Sequence, residues 1–353
     1  MKVNFVTATM AGGGTERVIA ILANDFVNCN YEVEIITLSD PTISYELDEK
    51  IQITRLTERT NGKLIARIRR IILLRKHVKE NKGSVYLSFG TETNLFVIIA
   101  AAFLNKTLIL SERSNPHECK FKHLRDIIYV CGQQFVFQTE DAMLCFSKGI
   151  QKKSVVIPNP VSHGIPERYM GIRSKTIVAV GRLGVEKNHK LLIDAFAEFK
   201  NIHIDYKLIL YGDGDLRDEL KEQTRKLSLD NDVIFAGFSN SVLEDIKDAG
   251  MYVLSSNYEG ISNSLLEAMA LGLPVIATDC PIGGARMLIE DGINGMLVPV
   301  GNKESMVAAM NKITNEVLFA DRISKEAEKV KNQYALEVIC QSWKDCIEQS
   351  SSK

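Results

Sequence analysis

Residues 251–278, MYVLSSNYEGISNSLLEAMALGLPVIAT, hold a strand, a glycine-bearing turn, a helix and a second strand. The apolar stretch 251–255 predicts a buried strand and 274–278 another. Strand, helix and strand in that order make a βαβ unit of a parallel sheet. Gly260, Ser262 and Asn263 are small, so a ligand can approach the backbone where the helix begins. Free N–H groups at a helix start, together with the helix dipole, favour a phosphate. Glu259 stands just before that point, and Glu267 lies about two turns into the helix. One carboxylate reaches a group attached to the phosphate and the other a hydroxyl further back. An anion cradle flanked in this way suits a sugar nucleotide.

The same grammar recurs on both sides. KVNFVTAT at the start is a β-rich run, followed by Gly12, Gly13 and Gly14 and then a helical pattern over 15–28. Further strands are predicted at 32–38, 84–88, 107–111, 134–138 and 154–157. Residues 158–175, PNPVSHGIPERYMGIRSK, carry three prolines and two glycines and read as a linker. The pattern then restarts, with strands at 176–180, 207–211, 233–236 and 295–298 beside the two already named. This predicts two Rossmann-like α/β domains, 1–160 and 172–332, and a helical tail over 333–353. Ligands of open α/β sheets bind at the carboxyl ends of the strands, so a cleft between two facing sheets is the expected site.

Bulk properties narrow the classes. A chain of 353 residues predicts ~2 domains. A formal net charge of -1 gives no global pull toward nucleic acid. Seven cysteines without a C-x-x-C pair read as reduced thiols in a cytosolic protein. The start has no signal-peptide pattern, and the longest apolar stretch, 95–104, is too short to cross a bilayer. Any membrane contact is therefore expected to be peripheral.

Arg182 and Lys187 follow the strand 176–180 at its carboxyl end. A guanidinium fork and an ammonium point charge there can clamp a diphosphate and stabilise it as it departs. The stretch GKLIARIRRIILLRKHVKENKG, 62–83, carries eight Lys or Arg against one acid, Glu80. On a helix Lys63, Arg67 and Arg70 share one face, and Leu64, Ile68 and Ile71 line a neighbouring apolar one. Such a helix can lie on anionic lipid or hold a lipid-linked diphosphate.

Four segments together resemble the retaining glycosyltransferases of family 4, which have the GT-B fold. They are Glu259-x7-Glu267 in its context, VAVGRLGVEKN (178–188), LYGDGDLRDEL (210–220) and the early glycine turn. The likeness runs along nearly the whole chain. It implies two Rossmann-like domains facing across a cleft, with the C-terminal helix packing back on the N-terminal domain. It implies transfer of a sugar from a UDP-linked donor to a glycan acceptor, here a lipid-linked one in bacterial surface polysaccharide synthesis. It also implies no metal and no cofactor. The Asp213, Gly214, Asp215 triplet fits a turn after a strand.

By the same resemblance Glu259 contacts the donor sugar and Glu267 the ribose, while Arg182 and Lys187 serve the leaving diphosphate. Gly260, Ile261, Ser262, Asn263 and Ser264 offer backbone contacts to the donor phosphate, and Gly13 and Gly14 let the donor approach the first strand's end. Arg17 opens the next helix toward the acceptor. In SERSNPH, 111–117, relatives often carry His where Arg113 stands. An arginine cannot act as a general base near neutral pH. The family's transfer needs no protein base, because a donor phosphate oxygen can take the acceptor proton. Arg113 is thus expected to hold an acceptor phosphate, with Glu112 orienting it and Lys63, Arg67 and Arg70 adding charge. The enzyme is expected at the cytoplasmic face of the cell membrane, held peripherally through 62–83. A sugar-nucleotide epimerase and a non-catalytic sugar- or lipid-binding module are the rival readings. The first would turn over donor without acceptor, and the second would turn over nothing.

Overall fold

The computed structural model describes residues 1–39, 42–56, 63–113, 115–119, 122–162 and 164–351, apart from the Lys63 side chain. The chain forms two compact units, Met1–Pro160 with Glu337–Lys353, and Val161–Leu336.

The first unit holds a seven-stranded sheet: β1 Lys2–Thr7, β2 Glu32–Thr37, β3 Gln52–Arg55, β4 Val85–Phe89, β5 Thr107–Glu112, β6 Gln134–Phe137 and β7 Ser154–Val156. Their order is β3-β2-β1-β4-β5-β6-β7, and every pairing is parallel. Helices cover both faces, so the central strands are apolar on both sides and read as continuous runs. Val3, Phe5, Ile35, Leu87 and Ile109 are buried. β3 escapes the sequence reading because it is a four-residue edge strand with mostly exposed side chains and no apolar run. The stretch too short for a bilayer is the core of the helix Thr91–Ala101, buried through Leu95 to Ile98. The C-terminal helix Leu336–Ser351 belongs to this unit: Trp343 is buried with its ring 5.6 Å from Phe89, and Lys344 pairs with Asp25 at 2.7 Å.

One ionic network anchors the helix Lys63–Glu80. Glu34 Oε1 on β2 accepts from Thr54 at 2.5 Å and lies 2.8 Å from His77 Nε2, while Lys2 Nζ is 2.9 Å from Oε2. Arg75 donates to the carbonyls of Ala100 and Ala102 at 2.8 and 2.9 Å. Burial opposes the charge on Glu34, but hydrogen bonds from His77, Thr54 and Lys2 outweigh it and hold the carboxyl down at about 2. A depressed carboxylate contributes stability above its ordinary range, and that contribution is lost as pH falls through the folded value. The shift corresponds to about 3 kcal/mol. Glu34→Gln should therefore lower the unfolding free energy by about 3 kcal/mol at neutral pH, with the gap to wild type closing below about pH 4. Urea midpoints of both proteins across that range check this. A gap that does not change with pH would assign the loss to packing alone.

The second unit holds six parallel strands: β8 Thr176–Val180, β9 Lys207–Tyr211, β10 Val233–Gly237, β11 Met251–Leu254, β12 Val275–Thr278 and β13 Met296–Val298. Their order is β10-β9-β8-β11-β12-β13. Leu192, Phe196 and Phe199 pack one face with Met306 and Met310, and Leu265, Leu266 and Met269 pack the other. The segment 158–175, expected as a linker, is mostly part of this unit. The Val161 N–H donates to the Tyr334 carbonyl at 2.8 Å, and Arg168 reaches Ser324 Oγ at 3.0 Å. Arg173 bonds the Gly272 carbonyl at 2.5 Å. Its prolines and glycines signal irregular backbone correctly. Anchorage by single arginines on carbonyls leaves no periodic trace in a sequence.

Candidate active site at the ends of β8 and β11

β8 and β11 are neighbours, with Met251 opposite Ile177 and Tyr252 opposite Val178. The strand order reverses between them, which makes their carboxyl ends the switch point of the sheet. The loop after β8 carries Arg182 and Lys187, and the loop after β11 carries Glu259. Four hydrogen bonds tie these loops together. Ser255 Oγ donates to the Lys187 carbonyl at 2.8 Å, and the Asn257 N–H to the Glu186 carbonyl at 2.8 Å. Asn257 Nδ2 reaches the Val185 carbonyl at 2.9 Å, and Asn188 Nδ2 reaches Asn257 Oδ1 at 2.9 Å. Asn188 takes the left-handed conformation (φ 46°), which a short polar side chain tolerates, and caps the helix His189–Lys200.

This clamping brings Lys187 and Glu259 together across 72 positions. Lys187 Nζ lies 2.5 Å from Glu259 Oε2, with the two side chains 14% and 21% exposed. Ser256 Oγ donates to the same oxygen at 3.3 Å. Arg182 does not share this pair. It is exposed, and its Nε and Nη2 lie 2.9 and 2.8 Å from Glu186 Oε1. Burial works against the charge on Glu186, yet its own backbone N–H and Arg182 hold its carboxyl below the usual range. Glu186 is thus a functional neighbour that the motif reading passed over. Each cation rests on a carboxylate, and an incoming diphosphate would compete for both. Beside them His189 is buried and its imidazole is pushed down to about 4, by burial first and then by the Lys187 charge. The ring is therefore neutral near pH 7 and adds no charge to the site.

The helix Asn263–Ala270 begins at the same place. Ser264 Oγ donates to the Val180 carbonyl at 2.8 Å and accepts from Tyr252 OH at 2.8 Å. That pins the helix start to the ends of both central strands. Burial raises the Tyr252 phenol and keeps it neutral. Glu267 is buried, only 5% exposed, and accepts from Ser162 Oγ at 2.5 Å. A buried carboxylate so placed differs from the solvated helix acid that spacing alone allows. Ile261 and Ser262 are buried too, so their contribution to a ligand is backbone.

Two glycine contacts close the site, one at Gly284, outside every motif, and one at Gly212, inside the segment 210–220. A Cβ on Gly284 would stand 1.7 Å from the Gly260 carbonyl oxygen, and one on Gly212 would stand 2.1 Å from that of Gly181. The loops after β12 and β9 therefore press backbone to backbone on the loops that carry Glu259 and Lys187. The available signal was the Gly-Gly pair at 283–284 after Pro281.

In the first unit, Gly12 (φ 117°), Gly13 and Gly14 follow β1, and Tyr45 OH staples the Gly13 peptide at 2.8 Å from its N and 2.6 Å from its O. Half-buried Arg17 lies in the first turn of the helix Gly14–Asn28. Arg113 donates to Ser111 Oγ at 2.8 Å and to Asn159 Oδ1 at 2.5 Å, and it lies over the rings of Phe89 and Trp343. Its Nη2 is buried without a hydrogen-bond partner. Burial lowers the guanidinium to about 9, so it keeps its charge at neutral pH. Glu112 is buried, and its carboxylate accepts from Thr91 Oγ1 at 2.7 Å, Tyr129 OH at 2.9 Å and the Arg113 N–H at 3.1 Å. It orients the backbone of Arg113 from below rather than facing a ligand.

Of the three basic residues expected on one helix face, Arg67 pairs with Glu92 at 3.1 Å, Arg70 is half-buried, and the Lys63 side chain lies outside the described residues. Of the expected apolar face, Leu64 and Ile68 are exposed and Ile71 is half-buried. Among the described residues no group of three His, Cys, Asp or Glu side chains is placed to hold a metal ion.

Comparison with known proteins agrees with this geometry. Residues 171–330, inside the second unit, match the family model of glycosyl transferases group 1. The chain is 28% identical over 354 residues to a Campylobacter jejuni α-1,4-N-acetyl-D-galactosaminyltransferase named for a diphosphoundecaprenol-linked substrate, covering 97% of each chain. It is 22% identical to an Escherichia coli UDP-Gal:α-D-GlcNAc-diphosphoundecaprenol α-1,3-galactosyltransferase, covering 87% of this chain and 89% of that one. A crystal structure of Anabaena HepE with UDP and glucose superposes with a TM-score of 0.85 at 18% identity, over 99% of this chain and 100% of that one. Fold, motif order and similarity along the whole length lead to one conclusion: the chain is a glycosyltransferase of the GT-B fold, with the group 1 domain in its second unit.

Proposed function

We propose that this glycosyltransferase moves a sugar, with retention of configuration, from a UDP-linked donor to a glycan carried on a lipid diphosphate. The observation that carries the reading is the Lys187–Glu259 pair at the β8/β11 switch point, beside the buried Glu267. The names of relatives that act on diphosphoundecaprenol-linked sugars support the acceptor class. The UDP in the HepE structure supports the donor class.

As the bond from the sugar C1 to the phosphate oxygen breaks, negative charge gathers on the diphosphate. Lys187 and Arg182 neutralise it after giving up Glu259 and Glu186. Glu259, freed from Lys187, holds the donor sugar, and Glu267 takes the ribose hydroxyls. Backbone N–H groups of 260–264 cradle the phosphate. The acceptor hydroxyl attacks on the face the diphosphate leaves, and its proton passes to a phosphate oxygen. Arg113, with one guanidinium nitrogen unpartnered, takes an acceptor phosphate, and Arg17, Arg67 and Arg70 add positive charge. Contact with the inner face of the cell membrane is peripheral in this reading. No helix among the described residues is long and apolar enough to cross a bilayer.

A panel of sugar nucleotides offered with a prenyl-diphosphate-linked glycan tests the proposal. Acceptor-dependent UDP release and a product with the donor's anomeric configuration are expected. UDP release or donor isomerisation without acceptor would contradict it. Turnover should also survive a strong chelator, because two protein cations supply the charge at the leaving group. Complete loss with EDTA, restored by a divalent ion, would assign that charge to a metal instead.

A further inference from the structure

The chain enters the second unit at Val161 and leaves it at Leu336. The two ends are stitched together. The Val161 N–H donates to the Tyr334 carbonyl at 2.8 Å, and Tyr334 OH donates to the Met287 carbonyl at 3.3 Å. Val161 is buried in one apolar cluster with Leu266, Ala270 and Val330, and Tyr334 packs against that cluster. Leu266 and Ala270 belong to the helix Asn263–Ala270, which also carries Glu267. The entry of the chain, its exit and the Glu267 helix therefore share one core.

Ser162 is the residue that follows this anchor. Its hydroxyl reaches across 105 positions of sequence and donates to Glu267 Oε1 at 2.5 Å. Glu267 is buried, so its carboxylate has shed most of its water and depends on hydrogen bonds. Ser264 lies nearer in sequence but gives its proton to the Val180 carbonyl. A hydroxyl donating to an ionised carboxylate makes one of the stronger hydrogen bonds. A carboxylate offers about four lone-pair sites, so the bond from Ser162 fixes the group and leaves room for both hydroxyls of a ribose. Glutamate is long and rotamer-rich, and holding it in place before the ligand arrives removes an ordering cost from binding.

We infer that Ser162 is a positioning residue for nucleotide recognition: it sets the Glu267 carboxylate for a ribose diol and ties occupancy of that subsite to the point where the chain enters the second unit. The inference rests on the reading that Glu267 takes the ribose hydroxyls. Discrimination against nucleotides without those hydroxyls is then a property of the Ser162–Glu267 pair rather than of Glu267 alone. The bound diol holds Glu267, Glu267 holds Ser162, and Ser162 steadies the Val161 N–H on the Tyr334 carbonyl.

The test is calorimetric titration of UDP and of 2′,3′-dideoxy-UDP into the full chain, with a melting curve for each variant. Wild type should prefer UDP by about a hundredfold or more, since the dideoxy nucleotide offers the buried carboxylate nothing. Ser162→Ala should weaken UDP about tenfold and leave dideoxy-UDP unchanged, so the preference falls by the same factor. Ser162→Thr keeps the hydroxyl and should keep the wild-type preference. Adding Ser162→Ala to Glu267→Gln should take no further preference away, because the pair acts as a unit. Hydrogen exchange reads the other end of the chain of contacts. At equal saturation the wild-type Val161 amide should exchange more slowly with UDP than with dideoxy-UDP, and Ser162→Ala should show no such difference. A wild-type preference in folded Ser162→Ala would overturn the inference, as would a wild-type Val161 amide indifferent to the ribose hydroxyls. So would an equal loss of affinity for both nucleotides in Ser162→Ala, which is what a purely structural stitch would give. An unchanged preference in folded Glu267→Gln would instead sink the ribose reading on which the inference rests.

Discussion

Replacing Lys187 by Ala is expected to lower kcat by ~100-fold or more while the protein stays folded. Lys187 is held by the loop bonds to Ser255 and Asn257, so its ammonium is placed before any ligand arrives. Its present partner, Glu259 at 2.5 Å, marks where an anion is welcome. The charge on a departing diphosphate grows along the reaction, so a preplaced ammonium helps the transition state more than the bound donor. The loss should therefore fall mainly on kcat. Glu259→Ala should cost as much for a different reason, since the sugar would lose its positioning carboxylate. The double variant should lose less than the product of the two single losses, because paired residues act as a unit. Steady-state kinetics with a melting curve for each variant decides the matter. Near-normal turnover in either folded single variant would remove that residue from the mechanism.

Gly284→Ala is expected to be nearly as damaging, although residue 284 carries no functional group. The added Cβ would lie 1.7 Å from the Gly260 oxygen and 2.8 Å from the Ile261 nitrogen, both backbone atoms that no rotamer change can move. The loop that carries Glu259 must therefore shift. A displacement of about 1 Å at a reacting centre can cost ~100-fold in rate. Overpacking of this kind also costs about 1–3 kcal/mol of stability. Both kcat/KM and the melting temperature should fall. Gly149→Ala, where a Cβ would meet nothing closer than Ser147 Oγ at 3.9 Å, should change neither. Full activity in Gly284→Ala would mean that the loop tolerates the shift and that the close contact is incidental.

These two residues show how far the sequence could be read. The central strands were legible because a parallel sheet covered on both faces demands apolar runs, which β8 and β11 have nearly unbroken and β1 and β4 have interrupted by a buried polar residue, Asn4 and Ser88 respectively. Lys187 and Glu259 were legible one at a time, each by its place after such a strand. Their contact depends on Asn188 and Asn257 knitting two loops together, and no spacing encodes that. The Gly-Gly pair at 283–284 signals a tight turn, but not the residue that needs Gly284 small, which is Gly260, 24 positions away. Arg182 was expected at the diphosphate, but the pairing that places it involves Glu186, read only as part of a motif. On the basic helix, periodicity gave the Leu64–Ile68 stripe correctly. Periodicity cannot say whether a stripe meets the protein or faces away from it, and here it faces away. β3 and the anchored part of 158–175 were missed for the opposite reason. They are held by edge pairing and by single arginine bonds, without an apolar pattern.

The central claim is that the β8/β11 switch point binds the donor nucleotide through Lys187 and Glu267. Calorimetric titration of UDP into wild type, Lys187→Ala and Glu267→Gln tests it without chemistry or acceptor. One UDP should bind per wild-type chain. Each variant should bind it at least about tenfold more weakly, the loss of roughly one charged hydrogen bond, with its melting temperature measured alongside. UDP binding to folded Lys187→Ala and Glu267→Gln with wild-type affinity would place the nucleotide elsewhere and contradict the account.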